Sequence, residues 1–260
     1  MKESDYLNFE EFFREYVKKF YSSDKYIQEN IILKEEHTYR VLEAMNMITE
    51  DMELHENSCL IARTTALFHD IGRFEQFARY QTFNDAVSEN HAELSVKVLE
   101  EEKILDALPL EEKDLIIKAM RYHNTYRLPP DECDRCLMFA KLLRDADKID
   151  IFKVLTDYYK VIDTDPNPAL EHNLLKDRTY CMQIVEDILN HKNSNKSLLK
   201  TRYDMRLFVL TWIFDINYNV SLKIIKERNF TDKILKVLPH NEDMNRVKTA
   251  LNEYTKKKLD

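Results

Sequence analysis

Apolar residues recur along this chain at helical intervals almost from its first residue. Phe9, Phe12, Phe13, Tyr16, Val17 and Phe20 share one side of an amphipathic helix, which the Ser22-Ser23-Asp24 run brings to an end. A second helix is predicted over about 28–52, with His37, Val41, Met45 and Ile48 at i, i+4, i+8 and i+11 on one face. The third, over 59–70, is nearly all apolar or small, which marks it as the central buried helix, and its last residues are His69 and Asp70. The segment 73–90 is aromatic and polar without a sustained stripe, so it reads as a functional loop or a broken helix.

Ser88 is placed as the N-cap of the next helix, which puts His91 in its first turn. A further helix over about 110–123 carries Ile116, Met120 and His123 on one stripe, and Pro129-Pro130 separate it from a long helix starting near Asp131. Along that long helix Cys136, Ala140, Leu143, Asp147, Ile151, Val154 and Tyr158 form an apolar stripe interrupted by one carboxylate. Burying an isolated ionised carboxylate costs several kcal/mol or more, so Asp147 needs a proton, a partner or a metal. Asp145 and Asp150 fall off the line and are read as solvated. Beyond a linker at 163–168, helical patterns return at roughly 176–192, 197–227 and 230–258.

Composition sharpens the fold class. With Gly 1 and Pro 6 in 260 residues, the chain has too few turn-formers for a sheet of many short strands, and an all-α fold is expected. The single glycine, Gly72, sits in His69-Asp70-Ile71-Gly72, where a left-handed residue would close the helix and aim His69 and Asp70 into one cavity. A net charge of -8 argues against a broad phosphate-backbone footprint, so no extended nucleic acid is expected as partner. No signal-peptide layout or membrane-length apolar stretch is present, which places the protein in the cytoplasm, away from membranes. Cys59, Cys133, Cys136 and Cys181 are read as structural thiols, because the Cys133/Cys136 pair has no second pair to complete a zinc site.

A His-Asp dipeptide alone is weak evidence; its setting is what counts. His37 lies on an upstream helix face, Asp147 interrupts a buried stripe downstream, and His91 and His123 fall between. In this order and spacing, in its HDIG form and in the Ala-Asp-Lys-Ile-Asp wording around Asp147, the chain resembles the HD-domain superfamily over about residues 30–160. The resemblance implies a helical core at 31–162 with metal bound by His37, His69, Asp70 and Asp147, flanked by a helical extension at 1–30 and a helical extension or lid at 170–260. In members with binuclear sites, further histidines hold a second metal and the Asp of the pair bridges both; His91 and His123 match that pattern. Mixed imidazole and carboxylate donors suit two divalent transition metals drawn from Mn, Fe, Co, Ni or Zn. Such a pair activates water and offers Lewis-acid contacts to a phosphoryl group.

The resemblance therefore implies a metal-dependent phosphohydrolase acting on a small phosphorylated substrate, with a nucleotide as the leading class. Asp70 is the central candidate, and Arg73 and Lys148 are the cations expected near the cavity rim. Arg79, Arg127 and Arg144 read more simply as surface charges. Tyr80, Gln81 and Thr82 are candidates to line a pocket, with Tyr80 and Phe83 equally readable as core contacts. His55, His172, His191 and His240 sit among polar residues and are read as surface histidines. The cyclic-dinucleotide phosphodiesterases of the superfamily carry an added Gly-Tyr-Pro motif, which a chain with one glycine spent in HDIG lacks. The alternatives are an HD-type di-iron oxygenase, whose ligand order is the same, and a non-catalytic nucleotide sensor. The acidic helical surface permits a homodimer without requiring one.

Overall fold

A computed structural model describes residues 1–171 and 174–260, and they are helical throughout apart from turns and an isolated bridge between Leu175 and Thr201. The chain divides into two compact units, Met1–Asp150 and Ile151–Asp260.

The first unit contains α1 (Glu3–Lys18), α2 (Lys25–Asp51), α3 (Glu56–Phe68), α4 (Gly72–Tyr80), α5 (His91–Glu101), α6 (Leu110–Tyr122) and most of α7 (Asp134–Val161). Helix α1 buries Tyr6, Phe9, Phe13, Tyr16 and Val17, the face its spacing predicts, and packs on α3, with the Phe9 and Phe68 rings edge to face at 5.7 Å. Asp24 caps α2 by accepting from Ile27 N at 3.0 Å. On α2 the predicted His37, Val41, Met45, Ile48 stripe is buried. Helix α3 is the buried centre expected of it; the hydroxyls of Thr64 and Thr65 are satisfied by the carbonyls one turn back, Leu60 O and Ile61 O, each at 2.8 Å.

Three points of local structure are decided, the first and third as corrections. Gly72 is not left-handed: the turn from α3 into α4 keeps right-handed helical angles, with His69 at φ −52° and Ile71 at φ −58°. The left-handed positions are held instead by Glu53, Gln81, Lys103, His191 and Asn229. Glycine is required at 72 for space, because a Cβ there would lie 2.5 Å from Ser95 N and 2.8 Å from Leu94 C of α5. Second, 73–90 is a broken helix: α4 followed by a single turn at Asp85–Val87. Third, the N-cap of α5 is Asn90, accepting from Ala92 N at 2.9 Å, while Ser88 bonds back to Asn84 O; His91 nonetheless opens the helix as expected.

Helix α7 departs most from its predicted face. Cys136, Ala140 and Leu143 are buried, but so is every residue from 142 to 146, and Ile151 and Val154 are only half-buried. A helix surrounded on all sides has no solvated face, so Asp145 and Asp150, expected in solvent, are buried as well.

The second unit adds α8 (Pro168–Glu171), α9 (Met182–Leu189), α10 (Arg202–Thr211), α11 (Asn219–Glu227), α12 (Phe230–Leu235) and α13 (Glu242–Leu259). Its core joins Ile184, Val185 and Ile188 of α9 with Leu207 and Leu210 of α10 and Val247 and Leu251 of α13. The long patterns predicted at 197–227 and 230–258 are each interrupted, the first by a turn at Trp212–Asp215 and the second before α13, where Pro239 lies.

Candidate metal centre

Four helices and one turn converge their polar side chains on the HDIG segment. His37 comes from α2, His69 and Asp70 from the turn after α3, His91 from the first residue of α5, His123 from the residue closing α6 and Asp147 from α7. The four histidines and Asp70 are buried, and the Asp147 side chain keeps 15% of its exposure. The close approach of α4 to α5 at Gly72 brings Asp70 beside His91; Gly72 N donates to Ser95 Oγ at 2.9 Å across the same contact.

The two oxygens of Asp70 face different neighbours. Oδ2 lies 3.5 Å from His37 Nε2 and 3.7 Å from His69 Nε2; these two rings also meet Asp147 Oδ1, at 3.2 and 3.8 Å. Oδ1 lies 3.5 Å from His91 Nε2 and 4.0 Å from His123 Nε2. His37, His69 and Asp70 form one group that could hold a metal ion, and Asp70, His91 and His123 form another.

Every one of the four imidazoles is held from behind by Nδ1. His37 Nδ1 meets Asp150 Oδ2 at 2.7 Å, His69 Nδ1 meets Ala66 O at 2.8 Å, His91 Nδ1 meets Asp85 Oδ2 at 2.6 Å and His123 Nδ1 meets Met120 O at 2.6 Å. Carbonyls and carboxylates only accept, so each Nδ1 carries a hydrogen and, in a neutral ring, Nε2 offers its lone pair to the cavity. This is how a protein presents imidazole to a metal.

At His91 and His123 the charges agree with that presentation. Burial, joined by Arg73 at His91 and by the His69 ring at His123, pushes both down to about 4, so both are neutral at neutral pH. Their Nε2 atoms face one another at 2.9 Å. Two lone pairs so close repel unless a cation lies between or beside them. Asp70 Oδ1, next to them, is buried without a hydrogen-bond partner. Burial and Lys34 oppose protonation of His37, but Asp147, Asp150 and Asp70 outweigh them and raise it to about 10. Burial would raise Asp70, yet Lys34, His69, Arg73 and His37 hold it well below the usual carboxylate range. Two unpaired nitrogen donors beside an orphaned carboxylate oxygen fit a divalent metal, and the mixed nitrogen and oxygen set fits a transition metal.

Residues 35–151 match the family model of the HD domain. That stretch is similar to the HD domain. No curated protein and no solved structure matches the chain. The HD match encloses His37, His69, Asp70, His91, His123 and Asp147, and HD proteins are for the most part metal-dependent hydrolases.

The other candidates named from sequence scatter. Arg73 enters the HD site, its Nε 3.5 Å from Asp70 Oδ1, while its Nη1 bonds Gln76 Oε1 and Phe83 O, each at 2.7 Å, and Asp85 Oδ1 at 2.9 Å. Lys148 is buried on α7 beside Asp147 in sequence. Arg144, expected on the surface, is buried and donates to the carbonyls of Tyr122, His123 and Thr125, tying down the chain where α6 ends and His123 sits. Arg79 and Arg127 are exposed, as are Tyr80 and Gln81, and Phe83 is a core residue stacked on Phe77 at 4.8 Å. Thr82 is half-buried and accepts from Asn84 N at 3.2 Å. His55, His191 and His240 are exposed, and His172 lies outside the described residues. The cysteines are free, with Cys133 exposed and Cys136 buried. No helix among the described residues is long and apolar enough to cross a membrane.

Three residues that sequence reasoning passed over belong to the site. Asp150 backs His37 and is itself held by Arg40 Nε at 2.6 Å. Asp85 backs His91 from the irregular stretch after α4. Lys34 Nζ lies 2.7 Å from Asp70 Oδ2. Only Lys34 carried a signal: it stands one turn before His37 on the same helix face.

Proposed function

We propose that this chain is a phosphohydrolase that holds two divalent transition metals and cleaves a phosphoester bond of a small phosphorylated substrate, with nucleotides as the first class to test. The observation that carries the reading is the division of Asp70: one carboxylate oxygen faces His37 and His69, the other His91 and His123. In this reading His37, His69, Asp70 and Asp147 hold one ion, and Asp70, His91 and His123 hold the second. A bound pair of such ions supplies a Lewis acid for the phosphoryl oxygens and lowers the pKa of water toward neutrality.

The chain's own residues set the conditions for that chemistry. Burial around Asp70 excludes bulk water, which strengthens every charge interaction inside the site. Asp150, Ala66 O, Asp85 and Met120 O fix the tautomer and direction of each imidazole, so the donors are in place before any ligand arrives. Arg73, anchored through Nη1, is a fixed positive charge beside Asp70, and Lys148 is the second cation assigned to offset substrate charge.

The test is phosphate release from a panel of nucleoside mono-, di- and triphosphates by protein loaded in turn with Mn, Fe, Co, Ni and Zn. Metal-dependent release that Asp70→Ala abolishes supports the proposal. Loaded protein that releases no phosphate but consumes oxygen with iron bound would instead make the site an oxygenase.

A further inference from the structure

Lys34 approaches Asp70 Oδ2, a carboxylate oxygen of the first set of donors. Its ammonium lies 2.7 Å from Asp70 Oδ2, inside the 3.5 and 3.7 Å that separate that oxygen from His37 Nε2 and His69 Nε2. An ammonium has three donors and no acceptor, and among the described residues the Lys34 ammonium hydrogen-bonds to Asp70 alone. The side chain keeps 16% of its exposure and passes over the Phe83 ring, 5.4 Å from its centroid, so it reaches the cluster from the solvent side. Neighbouring cations are committed: Arg73 Nη1 is held by Gln76, Phe83 O and Asp85, and Arg40 by Asp150 and Glu36.

A lysine on a flexible stem against Oδ2 competes with a divalent cation for the same oxygen, and like charges so close repel. Once displaced, it has two things nearby to answer: a cluster of positive charge, and whatever anion that cluster attracts. We infer that Lys34 is a mobile cation of the site, paired with Asp70 in the metal-free protein and transferred to a non-bridging phosphoryl oxygen of the substrate once metal occupies Asp70. The inference rests on the phosphohydrolase reading. It gives Lys34 a role in substrate binding that the fixed Arg73 guanidinium cannot fill.

The experiment is calorimetric titration of chelator-stripped wild type, Lys34→Met and Lys34→Arg, first with manganese and then with inorganic phosphate. Losing one charge-assisted hydrogen bond predicts that Lys34→Met weakens phosphate binding by about tenfold or more. Manganese stoichiometry stays as in wild type and manganese affinity holds or rises, because a competing cation is gone. Lys34→Arg restores phosphate binding toward the wild-type value. A merely structural lysine would instead weaken manganese and phosphate together, and that result overturns the inference. Unchanged phosphate affinity in Lys34→Met, with metal-dependent phosphate release intact in wild type, overturns the role of Lys34 alone. Wild-type protein that takes up no manganese, and no iron, cobalt, nickel or zinc in its place, overturns this inference and the hydrolase reading with it.

Discussion

Nδ1 of His37 lies 2.7 Å from Oδ2 of Asp150, so the first imidazole of the cluster is held by a carboxylate that the helical stripe of α7 gave no reason to bury. Asp85 stands in the same relation to His91 at 2.6 Å. The two halves of the cluster are therefore supported by separate carboxylates on separate elements.

Separate supports should fail separately. Loss of such a backing group typically costs about 10–100-fold in metal affinity. Asp150→Asn is expected to weaken metal retention at the His37 half and leave the His91 half loaded, and Asp85→Asn to do the reverse. Metal content after graded dialysis against a chelator checks this; equal loss in both variants would mean that the halves do not load independently.

Gly72→Ala should unfold the protein more easily without touching any polar group of the site. The added methyl would meet backbone atoms of α5 at 2.5 and 2.8 Å, which cannot move as a side-chain tip can. Forced separation of packed helices of this kind costs about 1–3 kcal/mol. Urea denaturation measures it, and a midpoint equal to wild type would remove close approach as the reason for glycine at 72.

The metal-free protein should be most stable near the ordinary histidine pKa of about 6.5. His91 and His123 are depressed to about 4, so their neutral forms favour folding above 6.5, and that stability is lost as pH falls toward 4. His37 is raised to about 10, so its contribution is complete below 6.5 and is lost as pH rises toward 10. Melting temperature against pH in chelator-treated protein gives the profile. His37→Gln should flatten the alkaline limb and spare the acid one; an alkaline limb unchanged in that variant would contradict the pairing of His37 with Asp150 and Asp147.

Much of this arrangement was legible in the chain, for reasons that also explain the gaps. His37, His123 and Asp147 stood on apolar stripes where a polar residue has to be explained, and His69-Asp70 lay in a recognisable motif. Periodicity assumes a helix with an inside and an outside, and α7 has no outside over 142–146 or 148–150, so the same reasoning put Asp145 and Asp150 in solvent. Asp85 sits in a stretch with no period at all, and its value arises only when the turn at Asp85–Val87 folds back on α5. Gly72 was correctly singled out for the wrong physical reason: a lone glycine signals either a special backbone angle or a close approach, and sequence does not separate the two.

The central claim is that Asp70 serves two metal positions at once. Elemental mass spectrometry of protein purified without chelator tests it most directly, on wild type, Asp70→Ala and His91→Ala side by side. The account predicts about two ions per chain in wild type, one in His91→Ala and none in Asp70→Ala. One ion per chain in wild type, retained in His91→Ala, would contradict it and leave His91 and His123 as buried residues of a single-metal site.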